Sequence, residues 1–232
     1  FTLKSLLVAS TAIVGIAAAT PAFAQEEAPT VIPIDSVTPE DLVDSATDVT
    51  GVGMFFRNDG FVCSGTLINP RTVLFAAHCV NDRAASDYGD SVAAAWSFGS
   101  NSLPGFIDWI NNSFGSNPDL AVFNVAQVIY NAESLARPDG FGFLEGDVAL
   151  SVLDTPAGNI PTWALLFSAL PAPTSYTQET GSGYHVNLVG YGRTGSGTTG
   201  ASIGIDWRRR AAENYIGALA SIDDRNIFLF GN

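Results

Sequence analysis

The sequence predicts an all-β protein, a barrel or a sandwich of many short strands. Short apolar runs recur along the chain, separated by Gly, Pro, Asn, Asp and Ser, as in strands joined by tight turns. Glycine is frequent, 23 of 232 residues, whereas helix-favouring lysine occurs once, at Lys4. An Asp-Gly pair at Asp59-Gly60 lies between two apolar runs, which is a strong short-range hairpin signal. No internal repeat marks a solenoid or propeller.

The first strand is read at Val52-Gly53-Met54-Phe55-Phe56, with its return over Phe61 to Ile68 after the turn at Asn58-Asp59-Gly60. Asn69-Pro70-Arg71 turns the chain again into a third strand, Thr72 to Ala76, completing an antiparallel meander. A polar loop over 81–91 precedes a strand over Val92 to Phe98. Residues 99–119 are rich in Asn, Ser, Gly and Pro and read as a long loop with one helical turn, carrying an exposed aromatic patch at Phe106, Trp109 and Phe114. Strands follow over Leu120 to Tyr130 and, after a loop at 131–146, over the continuous apolar run Val148 to Leu153.

In the second half, Ala164 to Phe167, His185 to Tyr191, Ile203 to Trp207 and Ile227 to Phe230 read as strands, and Gly192 to Gly200 as a turn. That Gly-rich stretch is not followed by a helix, so it does not read as a phosphate cradle. Residues 208–221 are compatible with helix or extended chain, and Arg208-Arg209-Arg210 read as a solvated or acid-paired face.

The first residues carry an export signal. Lys4 is followed by the apolar stretch Leu6 to Ala19, and Ala22-Phe23-Ala24 forms an A-x-A cleavage site before Gln25. A membrane anchor needs an apolar run of roughly 20 residues, longer than this one. Residues 1–24 are therefore taken as a signal peptide, 25–48 as an acidic leader or linker over the domain surface, 49–160 as a first β domain and 161–232 as the start of a second. The mature segment holds 9 arginines against 23 acidic residues, a net charge of −14. A chain this acidic is repelled by nucleic acid. Export also implies an oxidising compartment, in which the two cysteines, Cys63 and Cys79, can pair. Only His78 and His185 could join them at a metal, and no pair has zinc spacing.

Chemistry concentrates in Cys63-Ser64-Gly65-Thr66-Leu67-Ile68 and Val73-Leu74-Phe75-Ala76-Ala77-His78-Cys79-Val80. An apolar strand runs into two alanines and then a histidine, and small residues let the backbone pack closely beneath an imidazole. A general base needs such fixed placement, because proton transfer demands a heavy-atom approach of about 3 Å. The second element is Gly146-Asp147-Val148-Ala149-Leu150, an acid at the mouth of a buried strand. Asp119, in Pro118-Asp119-Leu120-Ala121-Val122, is a rival carboxylate.

These segments resemble the trypsin/chymotrypsin-like serine peptidase family. The Cys-Ser-Gly-Thr-Leu-Ile strand and Ala-Ala-His-Cys box are similar to the family's catalytic histidine and its disulfide back to the earlier cysteine. Asp147-Val148-Ala149-Leu150 is similar to its aspartate box, and Gly190-Tyr191-Gly192 to the Gly-Trp-Gly strand that opens its second barrel, with Tyr for Trp. The resemblance implies two antiparallel β-barrels, a Cys63–Cys79 disulfide, His78 as general base and Asp147 as its orienter. It implies acyl transfer on a protein or peptide substrate, without metal or organic cofactor. The His-to-Asp interval is long for the family, and an insertion at 99–119 accounts for the excess. His185 reads as structural and Ser196 as a loop residue.

The family's Gly-Asp-Ser-Gly-Gly nucleophile segment does not occur in the 232 residues. Either the serine follows residue 232, with the second barrel truncated here, or the chain is a degenerate relative. The resemblance does not extend to activation by an Ile-Val-Gly-Gly amino terminus, since Thr50 to Met54 lacks that motif. Two rivals stand beside a secreted endopeptidase of the bacterial envelope: a non-catalytic exported binding module, which the aromatics near Trp109 would suit, and an autotransporter passenger. No stable membrane insertion of this segment is expected.

Overall fold

The Asn58-Asp59-Gly60 turn joins β1 (Val52–Arg57) to β2 (Val62–Asn69) as an antiparallel hairpin, with Gly60 at a φ of +96° that favours glycine. The computed structural model describes residues 32–44, 50–131, 146–171 and 184–216. The expected signal peptide at 1–24, the strand at 227–230 and most of the loop at 131–146 lie outside the described residues. β3 (Thr72–Phe75), β4 (Ala94–Ser97), β5 (Val122–Tyr130) and β6 (Ala149–Leu153) complete a closed barrel in the order β1-β2-β3-β6-β5-β4, each neighbour antiparallel. Closure removes the free strand edges that would otherwise invite aggregation.

Strand alternation sorts the side chains of β1 into two layers. Phe55 points into the barrel with Leu67, Val73, Trp96, Phe98 and Leu153, all fully buried. Met54 and Phe56 face outward into a second cluster with Phe106, Trp109, Tyr191 and Trp207. Rings there meet at centroid separations of 5.2 Å (Phe56–Phe106) and 5.3 Å (Phe56–Trp207), within the favourable range for tilted aromatic pairs. Trp96 donates its indole N–H to Ser151 Oγ across the barrel at 2.6 Å, so no indole donor is left unmet there.

The second half contributes two small sheets among the described residues. β7 (Tyr184–Gly190) pairs with β10 (Arg210–Ile216), and β8 (Thr194–Ser196) with β9 (Gly200–Ile203). The fold is therefore mostly β, with one closed barrel and, among the described residues, an incomplete second. Residues 32–44 pack against this half: Val43 bridges Arg210, and the Ala211 amide donates to the Leu42 carbonyl. Among the described residues no helix is long and apolar enough to cross a membrane.

Several expectations are corrected. The insertion at 99–119 holds a full helix, α1 (Leu103–Asn111), with Pro104 in its first turn. Apolar residues at Leu103, Phe106, Ile107, Trp109 and Ile110 follow the helical spacing, and the Asn- and Gly-rich composition masked it. The supposed exposed aromatic patch is largely core, because Phe106 is 1% and Trp109 0% exposed; only Phe114 reaches solvent. Ala164 to Phe167 form no strand and pair with no described strand, leaving Phe167 92% exposed. The Gly192–Gly200 turn is instead the β8–β9 hairpin, and residues 204–207 continue no strand. Residues 208–221 are extended as far as Ile216. The arginine face is acid-paired, and Arg209 is wholly buried.

Candidate active site

β3 and β6 are neighbours, and their register pairs Phe75 with Ala149. Residues just beyond β3 and just before β6 therefore emerge at the same end of the barrel. The chain leaves β3 through Ala76 into a single 3₁₀ turn, Ala77–Cys79, whose alanine and cysteine are buried while His78 faces outward. Asp147 enters from the other side, after Gly146 at φ +65°.

The two side chains meet. His78 Nδ1 lies 2.6 Å from Asp147 Oδ2, and the His78 backbone N–H donates to Asp147 Oδ1 at 2.7 Å. Both carboxylate oxygens are thus used on one residue, which fixes the carboxylate's rotation as well as its distance. An ionised carboxylate only accepts, so in the neutral imidazole this contact selects the tautomer with the proton on Nδ1 and the lone pair on Nε2. Nε2 is hydrogen-bonded to no described residue, and the imidazole side chain is 47% exposed. A half-open imidazole held in that tautomer can take a proton from a nucleophile and return it to a leaving group.

The Cys63–Cys79 disulfide is formed, with a Cα–Cα separation of 6.3 Å, and ties the residue after His78 to the start of β2. Cys63, His78 and Cys79 offer three donor atoms within 4.8 Å of one another, but both sulfurs are spent in the disulfide and provide no thiolate for zinc. Asp119 sits exposed on a 3₁₀ turn, Pro118–Leu120, and makes no hydrogen bond to His78. His185 lies on β7, where Nε2 is 3.3 Å from Glu213 Oε2 on β10. Ser196 Oγ is 3.0 Å from Thr199 Oγ1 within its own hairpin.

A model of the trypsin family matches residues 44–203. The chain belongs to the trypsin family. A comparison with curated proteins found no match. Membership supports a serine protease function and, with it, a protein or peptide substrate. The trypsin-family match also spans the Gly-Tyr-Gly strand, whose Tyr191 is held by a contact that motif reading missed. Ser64 Oγ donates to the Tyr191 carbonyl at 3.0 Å and accepts from its amide at 2.8 Å. One hydroxyl thereby clips the second half onto the strand beside the disulfide; no spacing in the sequence marks it.

Proposed function

We propose that this chain carries the histidine and aspartate of a secreted serine endopeptidase, with His78 as general base and Asp147 as its orienter. The observation that carries the reading is the double contact of Asp147 with His78, through Nδ1 and the backbone amide. In the proposed mechanism His78 Nε2 removes the proton of a serine hydroxyl as its oxygen attacks the scissile carbonyl. The same imidazole then protonates the departing amine, and a water deprotonated by His78 releases the acyl group. Asp147 holds the tautomer and stabilises the imidazolium. The Cys63–Cys79 bond fixes the backbone that presents His78.

The nucleophilic serine is assigned to sequence following residue 232, because none of the 232 residues forms the family's serine segment. Residues 1–24 act as a signal peptide in this reading, 25–48 as a leader, 49–160 as the first barrel and 161–232 as the opening of the second, in a protein of the bacterial envelope. The disulfide fits an oxidising compartment.

The test is fluorophosphonate labelling of the full-length product followed by peptide mapping. The expected result is one labelled serine beyond residue 232, with labelling lost in His78→Ala. A folded full-length protein that takes no label would overturn the catalytic reading.

A further inference from the structure

A groove of about 470 Å³ runs between residues 32–44, β2 and the β7–β10 sheet, lined among others by Pro33, Leu42, Ser64, Tyr191, Arg193 and Ala212. Among the described residues its walls include no carboxylate, although the chain has 23 acidic residues, and they include two arginines. Arg210 is already paired with Asp206. Arg193 is exposed and makes no hydrogen bond or ion pair with any described residue. The other six described arginines are all engaged. Arg57 and Arg83 hold Asp59, Arg71 holds the carbonyls of Leu153 and Asp154, and Arg208, Arg209 and Arg210 hold Glu40, Asp44 and Asp206. Asp35, near the groove beyond Pro33, has its carboxylate taken by the Thr198 amide and hydroxyl. Among the described residues the groove therefore presents one cation without an ion pair, Arg193, and no acid in its wall.

Its mouth is near the candidate site. Ser64 follows Cys63, which is bonded to Cys79 beside His78, so the Ser64 and His78 Cα atoms are no more than about 14 Å apart. An extended peptide covers about 3.3 Å per residue, so a residue within about four places of the scissile bond reaches Ser64.

We propose that Arg193 is a specificity residue that binds an Asp or Glu side chain of the peptide substrate in this groove, several residues from the bond cleaved. The proposal rests on the serine-peptidase reading above. A guanidinium holds a carboxylate through two parallel N–H donors, and an amide of the same shape cannot accept both.

The experiment compares peptides that carry Glu or Gln, one position at a time, at the five positions on each side of the cleaved bond. The full-length enzyme is assayed as wild type, Arg193→Gln and Arg193→Glu, reading the Glu-to-Gln ratio of kcat/KM within each protein. The wild type is expected to favour Glu about tenfold at one position, the order of a charge-assisted hydrogen bond at a half-open rim. Arg193→Gln brings that ratio to about one, and Arg193→Glu inverts it. Equal ratios in all three proteins overturn the proposal. Anisotropy of uncleavable Glu and Gln peptides bound to the same proteins separates the two readings. If no peptide is cleaved, the peptidase reading fails, and a binding ratio that ignores Arg193 sinks the groove assignment independently.

Discussion

The Arg209 guanidinium, with no exposed surface, lies 2.7 Å from Asp44, a residue that precedes the barrel in sequence. Arg209 also donates to the Phe98 carbonyl at the end of β4, and its backbone bonds to Ser100 and Asp44. Three separate stretches of chain thus converge on one buried cation. Removing the acid leaves that cation uncompensated, so Asp44→Ala is expected to destabilise the folded protein by roughly 3–5 kcal/mol. Denaturant unfolding reads this. A loss near zero would mean that residues 32–44 do not hold the second half in place.

Asp206 predicts an acid limb of stability. Arg210 first, then Arg208, hold its carboxyl well below the usual carboxylate range, whose ordinary value is 3.8. A depressed folded pKa contributes stability that is present above the unfolded value and lost as pH falls through the folded one. Stability is therefore expected to fall as pH drops below about 4, the ordinary carboxylate range. Asp206→Asn should flatten that slope in pH-dependent unfolding; an unchanged slope would assign the acid limb elsewhere.

The disulfide closes a short loop, with 16 positions separating its cysteines. On the chain-entropy account such a link contributes about 3 kcal/mol. For a protein of this size, Cys63→Ser with Cys79→Ser is expected to lower Tm by about 6–12 °C. Calorimetry measures it, and an unchanged Tm would show that the barrel holds the His78 turn without the link.

Gly65 faces the interior, and a Cβ placed there would overlap the Trp96 ring and meet the Leu74 carbonyl oxygen at 3.0 Å. Trp96 is fully buried and fixed by Ser151, so it cannot swing aside. Gly65→Ala is expected to cost roughly 1–3 kcal/mol by overpacking. Gly158→Ala, with nothing within 4 Å of its Cβ, serves as the control in the same melts.

Much of the candidate site was legible because its signals are local. Ala76-Ala77-His78-Cys79 ends an apolar strand, and Asp147 opens another, and the antiparallel pairing of β3 with β6 brings them to one barrel end. Choosing Asp147 over Asp119 needed the resemblance, since both acids precede apolar runs. The helix α1 was less legible: Leu103, Phe106, Ile107 and Ile110 keep the helical spacing, but the surrounding Asn, Ser and Gly read as loop. The Arg209–Asp44 pair and the Ser64–Tyr191 clip join residues more than a hundred positions apart, 165 and 127. Such contacts depend on tertiary closure and leave no periodic trace. The strand expected at Ala164 to Phe167 shows the converse, an apolar run with no described strand to pair with.

The role proposed for Asp147 is to orient His78 for acyl transfer. Its most direct test is kcat/KM of the full-length enzyme on a peptide substrate for Asp147→Asn beside Asp119→Asn. Asp147→Asn is expected to lower it by about 10⁴-fold through the wrong imidazole tautomer, with Asp119→Asn close to wild type. Full activity in Asp147→Asn, or a collapse in Asp119→Asn alone, would contradict the assignment.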